Sequence, residues 1–197
     1  MAKKIYQIKI SIKGSKPPVW RRVLLASTIT FEELHEIIQI IFNWGSYHLY
    51  EFSGKYANYK TSEELKHNDM YALFGRQSSY DMSKVQINKE LKNPKDKVSY
   101  TYDFGDSWEH IILLEKIVPY DETIQYPICT AGKRNGLLED CGGIYSFNLI
   151  VDSIENPTSE NQYFLDEDDE HYFKDFDPKE FDKNLINMRL MLMNDDI

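Results

Sequence analysis

A single α+β domain is the fold this chain predicts: an opening β-hairpin, a long helix packed across a mixed sheet, a second hairpin, and a helical C-terminal part from about residue 144. Three observations carry the prediction. Residues 5–12 alternate with period two, placing Tyr6, Ile8, Ile10 and Ile12 on one face and Gln7, Lys9 and Ser11 on the other. Residues 31–42 carry apolar side chains at helical spacing. Residues 98–118 alternate again on both sides of Gly105-Asp106. A length of 197 residues suits one well-buried domain, 1–197, and no repeat or linker divides it.

After the first strand, Lys13-Gly14-Ser15-Lys16-Pro17-Pro18 is turn chemistry. Residues 19–25 make the return strand, with Trp20 and Arg22 on one side and Arg21 and Val23 on the other. Thr30 and Glu33 have capping-box spacing, and Ile29 with Leu34 can staple the helix entry. Phe31, Leu34, Ile37, Ile38, Ile41 and Phe42 form the buried stripe, which Asn43-Trp44-Gly45-Ser46 ends. This ββα opening is β-grasp-like. Residues 48–52 read as a third short strand, and 54–82 as an excursion with at most one short helix. Residues 85–91 are ambiguous.

The second hairpin pairs 98–104 with 108–118, setting Val98, Tyr100, Tyr102 and Phe104 on one face, then Trp108, His110, Ile112 and Leu114. Residues 124–143 hold Pro127 and four glycines and read as a long loop, a kind that is often functional. Residues 146–156 suit a helix. Asp177-Pro178-Lys179-Glu180 opens the last one, with a side-chain cap and proline at the first position.

Composition narrows function by exclusion. The net charge of −9 argues against a general affinity for nucleic acid. It is unevenly spread: residues 1–60 carry a net +5, 61–149 a net −4 and 150–197 a net −10. Lys13, Lys16, Arg21 and Arg22 are therefore the candidate nucleic-acid patch, against the simpler reading that the two ends neutralise each other. The acidic run Asp166 to Glu170 lacks the glycine and spaced oxygen ligands of a Ca²⁺ loop and reads as a solvated segment. No apolar run is long enough to cross a bilayer, and the N-terminus enters strand alternation without a signal-peptide pattern. With two cysteines, the expected location is the cytoplasm and no membrane partner is expected.

The chemistry concentrates where Asp103, Asp106, Trp108 and His110 surround the second hairpin's turn. With Glu139 and Asp140 from the long loop, Asp103, Asp106 and His110 would offer hard oxygens and one imidazole to Mg²⁺, Mn²⁺ or Zn²⁺. Such an ion could activate water. A zinc set of Cys129, Cys141 and His110 is weaker, because the cysteines lack the close pairing of structural sites. The competing account is structural: an aspartate beside glycine accepts backbone N–H groups without any metal, and Glu139-Asp140 could cap a helix starting near Tyr145. His48, near Trp44, is a candidate pocket residue, whereas His35 reads as a boundary histidine. Trp20, Trp44, Trp108, Tyr50, Tyr100 and Tyr102 are better explained as core than as a stacking groove. Asp103-Phe104-Gly105 is no kinase signature, since the glycine-rich loop and catalytic loop are absent from the sequence.

Several strings resemble the plasmid pRiA4b ORF-3-like family. They are Pro17-Pro18-Val19-Trp20-Arg21-Arg22, Leu34-His35 through Trp44 to His48-Leu49-Tyr50-Glu51-Phe52, and Tyr102 to His110. Tyr126-Pro127 through Gly132, Glu139-Asp140-Cys141-Gly142-Gly143 and Phe176-Asp177-Pro178 to Asn187 complete the match. One departure is Leu137-Leu138, where members commonly carry two prolines. The resemblance implies an accessory protein of mobile elements, of a group labelled as resolvases with no established reaction. A serine recombinase needs convergent arginines, and here Arg21, Arg22, Arg76, Arg134 and Arg189 are scattered. The leading expectation is a non-enzymatic binding or accessory module with a protein or nucleic-acid partner and no certain cofactor. The alternative is a metal-dependent hydrolase or nuclease using the Asp/His/Glu cluster.

Overall fold

The computed structural model describes residues 4–67, 78–136, 138–158 and 175–193. The eight described strands are β1 (Lys4–Ile12), β2 (Trp20–Ala26), β3 (Tyr50–Ser53), β4 (Asn58–Lys60), β5 (Ser79–Asp81), β6 (Lys97–Tyr102), β7 (Trp108–Pro119) and β8 (Ile128–Lys133). The described helices are α1 (Phe31–Phe42), α2 (Ser62–His67), α3 (Gly143–Glu155) and α4 (Lys183–Met193), with one 3-10 turn at Ile87–Lys89. The strands form one open mixed sheet in the order β5-β4-β3-β6-β7-β1-β2-β8. Every neighbouring pair is antiparallel except β4 with β5. Both expected hairpins are present, and β1 lies between β2 and β7.

Alternation becomes a two-sided sheet. Ile8, Ile10, Val23, Leu25, Tyr100, Tyr102, Trp108, Ile112 and Leu114 are buried on the face that receives α1. The other face is polar: Arg22 grips Glu115 with two hydrogen bonds, and Gln7 donates to the same carboxylate. Trp20 lies there between Lys9 and Arg22.

Helix α1 starts where its sequence directs. Thr30 Oγ1 accepts the Glu33 N–H at 3.1 Å and Glu33 Oε2 accepts the Thr30 N–H at 2.6 Å, closing the capping box. It ends at Asn43, whose left-handed backbone lets the Trp44 N–H return to Gln39 O. The helix crosses the sheet from Phe31, stacked on Tyr59 of β4, to Phe42, packed against His110 of β7. Fully burying an Ile or Phe side chain stabilises by roughly 1.5–3 kcal/mol, and six apolar residues of α1 are buried.

One correction concerns a connection. Part of the expected 124–143 loop is strand β8, which pairs with β2 and is held by α4: Asn187 donates to Cys129 O and accepts the Cys129 N–H. The ambiguous 85–91 segment holds the 3-10 turn that delivers Glu90 into the core. There Glu90 accepts the N–H groups of Lys55, Tyr56 and Ala57 and the Tyr59 hydroxyl. The acidic run 166–170 lies outside the described residues, as does Leu137.

Candidate functional site

The glycine-bearing segment closes over the second hairpin. Asp106 Oδ2 accepts the Gly142 N–H at 3.2 Å, at the N-terminus of α3. Gly143 must be glycine, since its φ is +78° and a Cβ there would lie 2.6 Å from Asp106 O. Three residues before Gly142 in the same segment, Glu139 Oε1 accepts the Tyr102 hydroxyl at 2.6 Å and Oε2 accepts the Gly45 N–H at 2.8 Å. Glu139 therefore ties β6 to the end of α1. Burial, then this bond to Glu139, pushes the Tyr102 phenol pKa upward. The N-cap of α3 is Gly142, so Glu139 and Asp140 do not cap that helix.

These ties set Asp140 beside His48 and Asp103. His48 Nε2 lies 3.2 Å from Asp140 Oδ1 and 3.9 Å from Asp103 Oδ2. One ligand atom from each of the three residues lies within 4.8 Å of the others, the metal-sized His/Cys/Asp/Glu group found among the described residues. His48 Nε2 is buried yet makes no hydrogen bond, so its approach to Asp140 is close without hydrogen-bond geometry. The burial is graded, with side-chain exposures of 12% for Asp103, 28% for His48 and 68% for Asp140. One side of the cluster is thus seated in protein and the other opens to solvent.

Asp103 serves two purposes. Its Oδ1 accepts the Gly105 N–H at 2.8 Å, the expected turn contact, while Oδ2 remains toward His48. Its backbone is held in the left-handed region, φ +56°, by the Asp103 N–H to Leu49 O and the Ser107 N–H to Asp103 O. Asp140 is left-handed too, φ +56°, and so is Ser46 at φ +60°.

Behind the cluster lies a satisfied polar network. His35 stacks on Tyr50 and its ring nitrogens lie 2.7 Å from the Tyr100 hydroxyl and 2.8 Å from Ser46 Oγ. The Tyr100 oxygen already accepts from Gln39 Nε2, so its buried proton goes to His35 Nδ1. His35 Nε2 then carries the other proton and donates to Ser46, which fixes the 43–48 loop that presents His48. Burial lowers the His35 pKa to about 3.

Other expected site residues lie elsewhere. His110 is not in the cluster: it is 1% exposed among Phe42, Trp44 and Tyr100, with Nδ1 donating to Trp108 O, and burial lowers its pKa to about 4. The proposed trio of Asp103, Asp106 and His110 is corrected for that reason. Asp106 is spent on Gly142 rather than on the cluster, and Trp108 is buried against Phe147. Cys129 is buried beside Asn187 and Cys141 flanks the cluster, and both are free thiols. They share no metal-sized group with His110 among the described residues.

Of the basic patch, Arg21 is not on the surface. Arg21 is buried, with Nε on Ile41 O and its guanidinium between Phe42 and Phe181. Arg22 is paired with Glu115 and Lys13 with Glu109, while Lys16 contributes its backbone N–H to Asn148.

The uncharacterised protein y4hQ of Sinorhizobium fredii is 27% identical over 161 residues, covering 81% of this chain and 78% of its own. The crystal structure of MM3350, a protein of unknown function from Methanosarcina mazei Go1, superposes with a TM-score of 0.76 at 32% identity. That match covers 94% of this chain and 97% of the other. The model of the plasmid pRiA4b ORF-3-like proteins matches residues 4–185, and the chain belongs to that family.

Proposed function

We propose that this protein is a divalent-cation-dependent binding module whose ion is held by His48, Asp103 and Asp140 and presented to an oxygen-bearing ligand. The observation that supports it is the convergence of one imidazole and two carboxylates, with His48 Nε2 buried and lacking a hydrogen bond. Ligand atoms around a bound ion at about 2.0–2.3 Å sit about 3–4.5 Å from one another. The 3.2 and 3.9 Å separations fall in that range. An imidazole with carboxylates suits Zn²⁺ or Mn²⁺ better than Ca²⁺. Elemental analysis of purified protein, with and without added Zn²⁺ or Mn²⁺, tests the reading. One ion per chain is expected, and none above the buffer background would overturn it.

A hydrolase is the second reading, favoured by the small number of protein ligands, which leaves coordination positions for water and substrate. The paired or buried states of Lys13, Arg21 and Arg22 weigh against a nucleic-acid partner and toward a protein or small-molecule one. No helix among the described residues is long and apolar enough to cross a membrane. The free thiols of Cys129 and Cys141 suit the reducing cytoplasm, where an accessory role with mobile elements would be played.

A further inference from the structure

We infer that the cluster takes a neutral carbonyl group flanked by a large apolar substituent, as in a peptide amide bearing an aromatic side chain, and discriminates against phosphate. The inference rests on the metal reading above and adds the class of ligand. Two independent features of the surroundings carry it.

The first is charge. Asp103 and Asp140 together offset a bound dication, and the neighbouring carboxylates Asp106 and Glu139 remain. Those two accept only from neutral groups: Gly142 N–H for Asp106, and Tyr102 hydroxyl with Gly45 N–H for Glu139. Among the described residues no lysine or arginine forms an ion pair with any of the four. Phosphate sites are built the opposite way, with guanidinium forks or ammonium groups converging on the anion. An anionic ligand here would meet surplus negative charge, whereas a carbonyl oxygen offers the ion a dipole without adding charge.

The second is the rim. Tyr47 and Leu49 bracket His48 in sequence, Phe104 follows Asp103, and Tyr145 lies in the first turn of the helix that begins on Asp106. All four are exposed, Tyr47 at 84%, Leu49 at 58%, Phe104 at 47% and Tyr145 at 73%. Exposed apolar side chains next in sequence to a few convergent polar atoms fit the usual make-up of a small-ligand site. An apolar substituent on the ligand would pack on this rim while the carbonyl reaches the ion.

The test uses the full chain loaded with Co²⁺, whose visible absorption reports on its ligands, titrated with N-acetylphenylalanine amide and separately with phenyl phosphate. The amide should perturb the spectrum with at least tenfold tighter binding than the phosphate. Leu49→Ser and Phe104→Ser, at exposed positions, should each weaken the amide several-fold and leave Co²⁺ affinity unchanged. Equal or tighter binding of phenyl phosphate would overturn the inference and leave the metal reading standing. So would a bound Co²⁺ that neither probe perturbs. Failure to bind Co²⁺ at all would overturn both.

Discussion

Lowering the pH from 7 to 5 should remove about 4 kcal/mol of stability through two buried histidines. His35 and His110 are 3% and 1% exposed, and burial holds their pKa values at about 3 and about 4. Released into the unfolded chain, each would titrate near the ordinary histidine value of about 6.5. Between the folded and unfolded values the unfolded state binds more protons, so stability rises with pH through that window and falls as acid is added. The contribution is fully present above about pH 6.5 and is progressively lost toward about pH 4 for His110 and about pH 3 for His35. Working the two titrations from pH 7 to pH 5 gives roughly 2 kcal/mol for each histidine, about 4 for the pair. Against a typical unfolding free energy of about 5–15 kcal/mol this is a large fraction. Urea unfolding followed by tryptophan fluorescence at pH 7, 6 and 5 measures it. The midpoint should fall by about 2 M, taking a slope near 2 kcal/mol/M. His35→Gln, which keeps a polar side chain beside Tyr100 and Ser46, should lower stability at pH 7 yet remove about half of the pH dependence. A midpoint that does not move between pH 7 and 5, or a dependence left intact in His35→Gln, would refute the reasoning.

Three further outcomes follow from particular contacts. Gly143→Ala places a methyl against Asp106 O at a left-handed position and should destabilise by about 2–4 kcal/mol, read as a lowered urea midpoint. Glu90→Ala leaves three backbone N–H groups and the Tyr59 hydroxyl without their acceptor, and should cost about 3–5 kcal/mol, whereas Arg22→Ala on the open sheet face should cost about 1 or less. Tyr102→Phe deletes the 2.6 Å bond that positions Glu139 next to Asp140. It should weaken metal affinity by about tenfold in calorimetry while the protein stays folded by circular dichroism.

Most of the framework was legible in the sequence because local patterns agree with the tertiary outcome. The period of two over 5–12, 98–102 and 108–114, the Thr30–Glu33 capping box and the stripe on α1 all stand in the structure, whereas Phe104, read as the end of its strand, is an exposed turn residue. Strand β8 was hidden by Pro127 and the glycines around it; only pairing with β2, about a hundred residues away, makes it a strand. The short parallel pair β4–β5 has the same dependence on distant partners. At the site, alternation already set His110 on the face of Ile112 and Arg21 on the face of Val23. Both apolar neighbours are core, and both polar residues went with them. Strand register outranks residue type at both positions. His48 is a candidate from its place beside Trp44, but its approach to Asp140 depends on a fold-back sealed by Glu139, Asp106 and Gly143. No local periodicity encodes such a closure.

Isothermal titration of Mn²⁺ and Zn²⁺ into the wild-type chain and into Asp140→Asn tests the central claim most directly. Asp140 is the exposed member of the cluster, and asparagine tolerates its left-handed backbone, so the variant keeps its fold. The account predicts one ion per chain in the wild type and at least a tenfold loss of affinity in Asp140→Asn, with unchanged circular dichroism. Equal affinity in the two proteins, or no binding in either, would contradict it.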